Sequence, residues 1–192
     1  MKSVRINEYL VFVYRIFLIY FFYAIARGLF IYFNHDVMSD YRSFDLFYYG
    51  LAFDNSAIMY VNLLFILLSL LPLWYNKHPK FQKILFWIYF IPNIIAYATN
   101  FIDMAYYPFS KSRLTTASFA VIEHEQNIAK LIVPFLGDYW YLFLWFFSLI
   151  ALWMYLYKLV KVQQVIVSSK KSYYLSSIFT FFGSVILIIM AI

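Results

Sequence analysis

The 192-residue chain is 65% hydrophobic and 25% aromatic, only 12% of its residues are charged, and its mean hydropathy is +0.74. A soluble domain of this length needs more polar surface, so the composition predicts an integral membrane protein and excludes an ordinary soluble enzyme. The net charge is +6, but Lys and Arg cluster beside apolar runs, which is a topology signal and not a nucleic-acid footprint. Because cysteine is absent, disulfides, thiolate metal sites and cysteine nucleophiles are excluded.

The apolar runs predict an all-α, polytopic membrane protein in which residues 1–192 form a single transmembrane domain with five spanning helices. A run of about 20 apolar residues is long enough to cross the hydrocarbon core of a bilayer. We expect the helices at about 10–33, 56–74, 84–102, 139–157 and 173–192.

Helix one carries Arg27 in its outer part, on one face with Tyr20, Tyr23, Phe30 and Asn34, because these positions recur at three- and four-residue steps. One interpretation is that the guanidinium extends to the outer headgroups. The functional interpretation is a ligand for phosphate or a lipid headgroup that faces the bundle interior. Both remain open at this point.

Helix two is predicted to follow a solvated acidic loop at 34–53, with Asp54 or Asn55 as its N-cap, because a side-chain oxygen there can accept an orphan N–H. Asn55, Asn62 and Ser69 then lie seven residues apart. A polar stripe on a lipid-like helix predicts hydrogen bonds between helices.

Helix three contains Pro92, where one backbone hydrogen bond is lost and a kink is expected. Asn93 and Asn100 are one heptad apart and Asp103 follows at i+3, so the three lie near one stripe that should face other helices. We expect helix three to end near position 102, which places Asp103 at its outer end, close to water and headgroups.

A basic and hydroxyl cluster with Lys111, Arg113 and Thr116 follows the exit of helix three. Such side chains bind phosphate, so the cluster predicts contact with a lipid headgroup. Residues 115–132 are too polar to span and predict an amphipathic helix on the outer surface. The candidate residues for a headgroup site or a substrate path are Arg27, Asn100, Asp103, Lys111, Arg113 and Thr116.

Aromatic residues near helix ends predict interfacial belts. They are Trp87 and Tyr89 in helix three and Tyr139, Trp140, Tyr141, Trp153, Tyr155 and Tyr157 in helix four. Helix five has small residues at four-residue steps, which permits close helix contact. The polar residues that we expect at helix-packing interfaces are Asn55, Asn62, Asn93, Ser176, Thr180 and Ser184. No group of His, Asp or Glu has a standard ligand spacing, so no metal site is predicted.

The distribution of Lys and Arg predicts that the amino terminus is inside and the carboxyl end outside. The nine inner cations are Lys2, Arg5, Lys77, Lys80, Lys83, Lys158, Lys161, Lys170 and Lys171. The four outer cations are Arg42, Lys111, Arg113 and Lys130.

Five segments resemble the membrane region of the lipoteichoic acid synthase (LTA synthase) family of sulfatase-like phosphoglycerol transferases. They are GLAFDNSAI at 50–58, LLSLLP at 67–72, NFIDMAYYPF at 100–109, RLTTA at 113–117 and FLGDYW at 135–140. In that family, five membrane helices precede an extracellular catalytic domain. The resemblance therefore implies a module of the bacterial cell membrane that anchors such an enzyme.

The same resemblance implies a parent enzyme that uses a threonine nucleophile and manganese or magnesium to transfer phosphoglycerol or to cleave phosphate or sulfate esters. The region that would carry these groups is not in this sequence, so no catalytic residue and no cofactor is assigned to this chain. The expected partners are membrane lipids, with an anionic phospholipid as candidate donor, and proteins of envelope biogenesis; nucleic acid is not expected. Two alternatives remain: a small transporter or channel subunit with an intramembrane polar path, and a noncatalytic partner of an envelope enzyme.

Overall fold

The computed structural model describes residues 4–6, 8–38, 43–70, 77–111 and 137–162, together with Leu175, Ile178 and Phe182. The elements are β1 (Val4–Ile6), α1 (Glu8–Phe33), a 3₁₀ turn (His35–Met38), α2 (Ser43–Leu70), α3 (Pro79–Ser110), α4 (Trp140–Leu159) and β2 (Val160–Val162). Within this part of the chain, four helices are long and apolar enough to cross a membrane. The predicted surface helix at 115–132 and nearly all of predicted helix five at 173–192 lie outside the described residues.

Helix α1 is central to the bundle, because it packs against α2, α3 and α4. Helices α2 and α3 also pack against each other, and α4 packs on α3. The two short strands pair in parallel, with Val4 opposite Val160 and Ile6 opposite Val162. They tie the start of α1 to the end of α4. We call this end of the bundle, where α1 and α3 begin and α4 ends, the strand end, and the opposite end the turn end.

The core between α1, α3 and α4 is aromatic and is centred on Trp153. Its ring stacks on Phe22 with centroids 4.7 Å apart, and its Nε1 donates to the Tyr89 hydroxyl at 2.8 Å. Tyr89 in turn donates to the backbone carbonyl of Arg15 at 3.0 Å. Buried Trp and Tyr need partners for their polar atoms, and the bundle supplies them for Trp153 and Tyr89.

The prediction of interfacial belts is therefore wrong for Tyr89, Trp153 and Tyr157, which are buried in the core. Trp87, by contrast, is exposed. Aromatic residues near a helix end fit both places, and the sequence does not say whether a partner for the N–H or O–H lies inside the bundle or in the headgroup layer.

Helix α2 begins at Ser43 rather than near Ser56, so the predicted loop was wrong for residues 43–53, and so was the N-cap at Asp54 or Asn55. Asp54 lies about three turns into the helix and is buried. Asp and Gly inside a span usually signal a loop or cap. Here a cation on α1 neutralises the carboxylate, which removes the reason for the helix to begin after it.

Helix α3 continues to Ser110 and contains both Pro92 and Pro108, so its predicted end near 102 was wrong. Pro108 cannot donate to the carbonyl four residues earlier, that of Met104. The Nδ2 of Asn34, just after α1, donates to this carbonyl at 3.3 Å and to the Phe30 carbonyl at 3.0 Å. The Asn34 side chain thus satisfies the Met104 carbonyl that Pro108 leaves without a donor, and α3 extends past the proline.

Candidate functional site

Arg27 and Asp54 form a bidentate ion pair that joins α1 to α2. The Nε and Nη2 of Arg27 each donate to one carboxylate oxygen of Asp54, both at 2.7 Å. The two side chains are only 9% and 11% exposed. Neither predicted role of Arg27, as a snorkelling side chain or as a headgroup ligand, accounts for this geometry, because the guanidinium is engaged inside the bundle.

Gly50 provides the space in which the Arg27 guanidinium lies. A Cβ at position 50 would overlap the guanidinium atoms of Arg27. Gly50 precedes Asp54 by four residues, so both are on the face of α2 that meets α1. We call Gly50, Asp54 and Arg27 the arginine clamp.

Two further polar contacts join the helices. The Tyr20 hydroxyl donates to Oδ1 of Asn55, from α1 to α2. Asn62 of α2 and Asn93 of α3 exchange amide hydrogen bonds of 3.2 and 2.6 Å. Each of these amides also donates to the carbonyl four residues earlier in its own helix, at 2.9 and 2.7 Å. Both amide groups thus have protein partners for their N–H groups and their oxygen, as buried amides require.

The predicted headgroup residues of α3 occupy the turn end of the bundle. Asp103 was predicted to lie at the end of its helix. In the structure it lies two turns before that end, and it is only 7% exposed. Asn100 is partly buried and donates to the Ala96 carbonyl at 3.0 Å. Lys111 is exposed and ends α3 in a left-handed conformation, with a φ of 54°.

Several predicted residues lie outside the part of the chain that the structure describes. They are Arg113 and Thr116 of the basic cluster and Ser176, Thr180 and Ser184 of predicted helix five.

Sequence reasoning missed Arg15, which lies two turns into α1 and is 6% exposed. Its Nη1 donates to Oε1 of Gln82 at 3.0 Å, and its guanidinium carbon lies 4.2 Å from the ring centroid of Tyr157. A guanidinium held over an aromatic ring in a buried place is a strong cation–π arrangement. The signal that could have identified it is an arginine inside a predicted span, since such residues are costly and generally functional.

Arg15 lines a cavity of about 470 Å³ at the strand end. Four lysines also line it, and the helices α1, α3 and α4 and strand β2 all contribute residues. The cationic residues of this strand-end pocket are Arg15, Lys77, Lys83, Lys158 and Lys161.

No three His, Asp or Glu side chains lie together in the described ranges in a way that could hold a metal ion. The manganese or magnesium that the resemblance implies therefore has no ligand set among these residues, and we assign no metal-dependent step to them.

Comparison of this chain with protein-family models, with curated proteins and with solved structures finds no match.

Proposed function

We propose that this chain is the membrane module of an envelope enzyme of the LTA synthase and sulfatase-like kind, which holds a catalytic domain at the outer face of the membrane. The module has five spans, with its amino terminus inside and its carboxyl end outside. The enzyme transfers phosphoglycerol or cleaves phosphate or sulfate esters with manganese or magnesium. The residues that bind this metal belong to the catalytic domain and not to these helices.

The arginine clamp is the observation that carries this proposal. Gly50 and Asp54 both belong to the segment at 50–58 that resembles the family, and they act together to hold Arg27. This pairing gives the two residues a shared physical role, locking α1 to α2. A catalytic domain that acts on a membrane-bound substrate needs such a rigid base.

The transporter or channel alternative places Asn62, Asn93, Asn100 and Asp103 along a path through the membrane. Asn62 and Asn93 are fully buried against each other and use their amide groups in mutual hydrogen bonds. These contacts favour a packing role for the two residues, as expected for polar side chains that join membrane helices. The anchor proposal is therefore better supported than the transport alternative.

Topology is the first test of the proposal. An alkaline-phosphatase reporter fused after Ile192 should be active, because the enzyme matures only outside the cytoplasm, and the same reporter fused after Lys77 should be inactive. Activity at Lys77 with none at Ile192 would place the carboxyl end inside, and an outer catalytic domain could then not follow it.

Activity is the second test. Membranes that contain the full-length native product should release diacylglycerol from labelled phosphatidylglycerol, or cleave an aryl phosphate or aryl sulfate ester, when manganese or magnesium is added. Chelation should abolish the reaction. A native product of this length whose membranes are inactive on all three substrates, but which drives solute flux lost in Asp103→Ala, would support the transport alternative instead.

A further inference from the structure

We propose that the strand-end pocket binds the phosphate-bearing headgroup of an anionic phospholipid, in the leaflet opposite the one that the proposed enzyme would serve. This site lies at the other end of the bundle from the turn-end residues Asn100, Asp103 and Lys111. It does not rest on the family resemblance, because none of its lining residues belongs to the five resembling segments.

Two buried donors in the pocket lack a partner within the described residues. They are the Nε of Arg15 and the hydroxyl of Tyr157. Both residues line the cavity, and both are more than nine-tenths buried. An unsatisfied buried donor is costly, by about 1 to 3 kcal/mol and by more for a charged group. Neither atom is exposed to the open cavity, so a phosphate oxygen would accept from either group once the cavity wall around it shifts, and this would remove that cost.

The charge around the cavity has one sign. Its lining includes five cationic side chains, and no Asp or Glu of the described residues is among the lining residues. Among the described residues, Glu8 pairs with one of these cations, with its Oε2 3.5 Å from the Lys77 Nζ. Within this part of the chain, one carboxylate leaves most of this positive charge uncompensated, and a cluster of cations around a concave site, with Arg15 buried in its wall, attracts an anion.

The other side chains indicate that the anion arrives on a lipid. Phe86, Trp87, Val160 and Val162 also line the pocket, and Trp87 and the neighbouring Ile84 are exposed on α3. An apolar surface directly beside the cations can accept the acyl chains while the headgroup enters the cavity. A volume of about 470 Å³ is within the usual range of about 300 to 1,000 Å³ for small-molecule sites.

The strand pair forms one side of this site. Strand β2 contributes Val160, Lys161 and Val162 to the lining, and β1 holds β2 in place by parallel pairing. In the proposed orientation this end of the bundle faces the cytoplasmic leaflet, where anionic lipids attract Lys and Arg by about 1 kcal/mol for each side chain.

The test is a lipid titration of the purified full chain in detergent, followed by native mass spectrometry. The probes are dioleoyl phosphatidylglycerol, dioleoyl phosphatidylcholine and soluble glycerol 3-phosphate. We expect the anionic lipid to bind about tenfold or more tightly than the zwitterionic one, since that ratio corresponds to one charge-assisted hydrogen bond. Glycerol 3-phosphate should not compete at equal concentration.

Three variants locate the site. Tyr157→Phe keeps the ring under Arg15 but removes the hydroxyl, and it should weaken phosphatidylglycerol binding about tenfold. Lys83→Gln should weaken it about fivefold through the loss of one nearby cation. Lys80→Gln removes the same charge from α3 at a position that is also exposed but does not line the pocket, and it should have less than roughly a twofold effect because solvent screens a charge that lies outside the cavity.

Arg15→Gln should lose most of the binding, and thermal unfolding will show whether this variant is folded. The conclusion does not depend on it, because Tyr157→Phe changes a single oxygen. Equal binding of the two lipids would overturn the proposal, as would equal effects of Lys83→Gln and Lys80→Gln. Competition by glycerol 3-phosphate at the strength of the lipid would identify a soluble phosphate ester as the ligand and would overturn the lipid assignment.

Discussion

Replacement of Asp54 by Asn should strongly destabilise the bundle, because it leaves the Arg27 guanidinium buried without a counter-ion. The side chains of the pair are 9% and 11% exposed and meet through two hydrogen bonds of 2.7 Å. Loss of one partner of a buried ion pair costs about 3 to 5 kcal/mol, most of which is the penalty for the charge that remains. We therefore expect the free energy of unfolding to fall by about 3 kcal/mol.

The assay is reversible unfolding of the purified chain in mixed micelles, followed by tryptophan fluorescence. Asp45→Asn is the matched control, because Asp45 is an exposed acid of the same helix and such substitutions usually change stability by less than about 0.5 kcal/mol. Adding Arg27→Met to Asp54→Asn should recover much of the loss, since replacing both partners of a buried pair is often close to neutral.

The reasoning would be refuted if Asp54→Asn were no more destabilising than Asp45→Asn. It would also be refuted if the double variant were as unstable as the sum of the two single variants, because the charges would then not be coupled.

Three other substitutions follow from the same packing. Gly50→Ala should destabilise by more than about 1 kcal/mol, because its methyl group overlaps the guanidinium of the clamp; Gly28→Ala, where a Cβ would meet nothing within 4 Å, should be neutral or stabilising by up to about 1 kcal/mol. Asn93→Ala should lower the free energy of unfolding by about 1 to 3 kcal/mol, because it leaves the buried Asn62 amide on α2 without its hydrogen-bond partner. Asn34→Ala should lower the free energy of unfolding by a similar amount in the native chain. It should lower it by less in a Pro108→Ala background, because residue 108 then regains the N–H that the Met104 carbonyl lacks. Equal losses in the two backgrounds would show that Asn34 does not compensate for the proline. Unfolding in micelles measures all of these effects.

The sequence alone was sufficient for the class of protein and for the position of most helices. Long continuous apolar runs with sparse charge favour spanning helices, since a helix satisfies all of its backbone groups within one segment in lipid. The predicted helices at 10–33, 84–102 and 139–157 therefore fall on α1, α3 and α4 of the structure. The observed start of α2 and end of α3 differ from the predicted ones, because proline and polar residues end a helix only when no neighbour compensates for them.

Tertiary structure decided what each polar residue does. Arg27, Asp54 and Gly50 are far apart in sequence or look like loop signals, and only the packing of α1 on α2 makes them one clamp. The same packing moved the start of α2 to Ser43. A charge in a span is costly or harmless according to its partner, and that partner comes from another helix.

The strand-end pocket also combines a feature that the sequence predicts with features that only the tertiary structure shows. The sequence predicts that Lys77, Lys83, Lys158 and Lys161 lie on one side of the membrane, because positive charge follows topology. It could not show that these lysines surround one cavity, nor that Arg15 and the Tyr157 hydroxyl lie buried in its wall. Periodicity defines the face of a single helix, whereas a cavity exists only once several helices have fixed their distances and rotations.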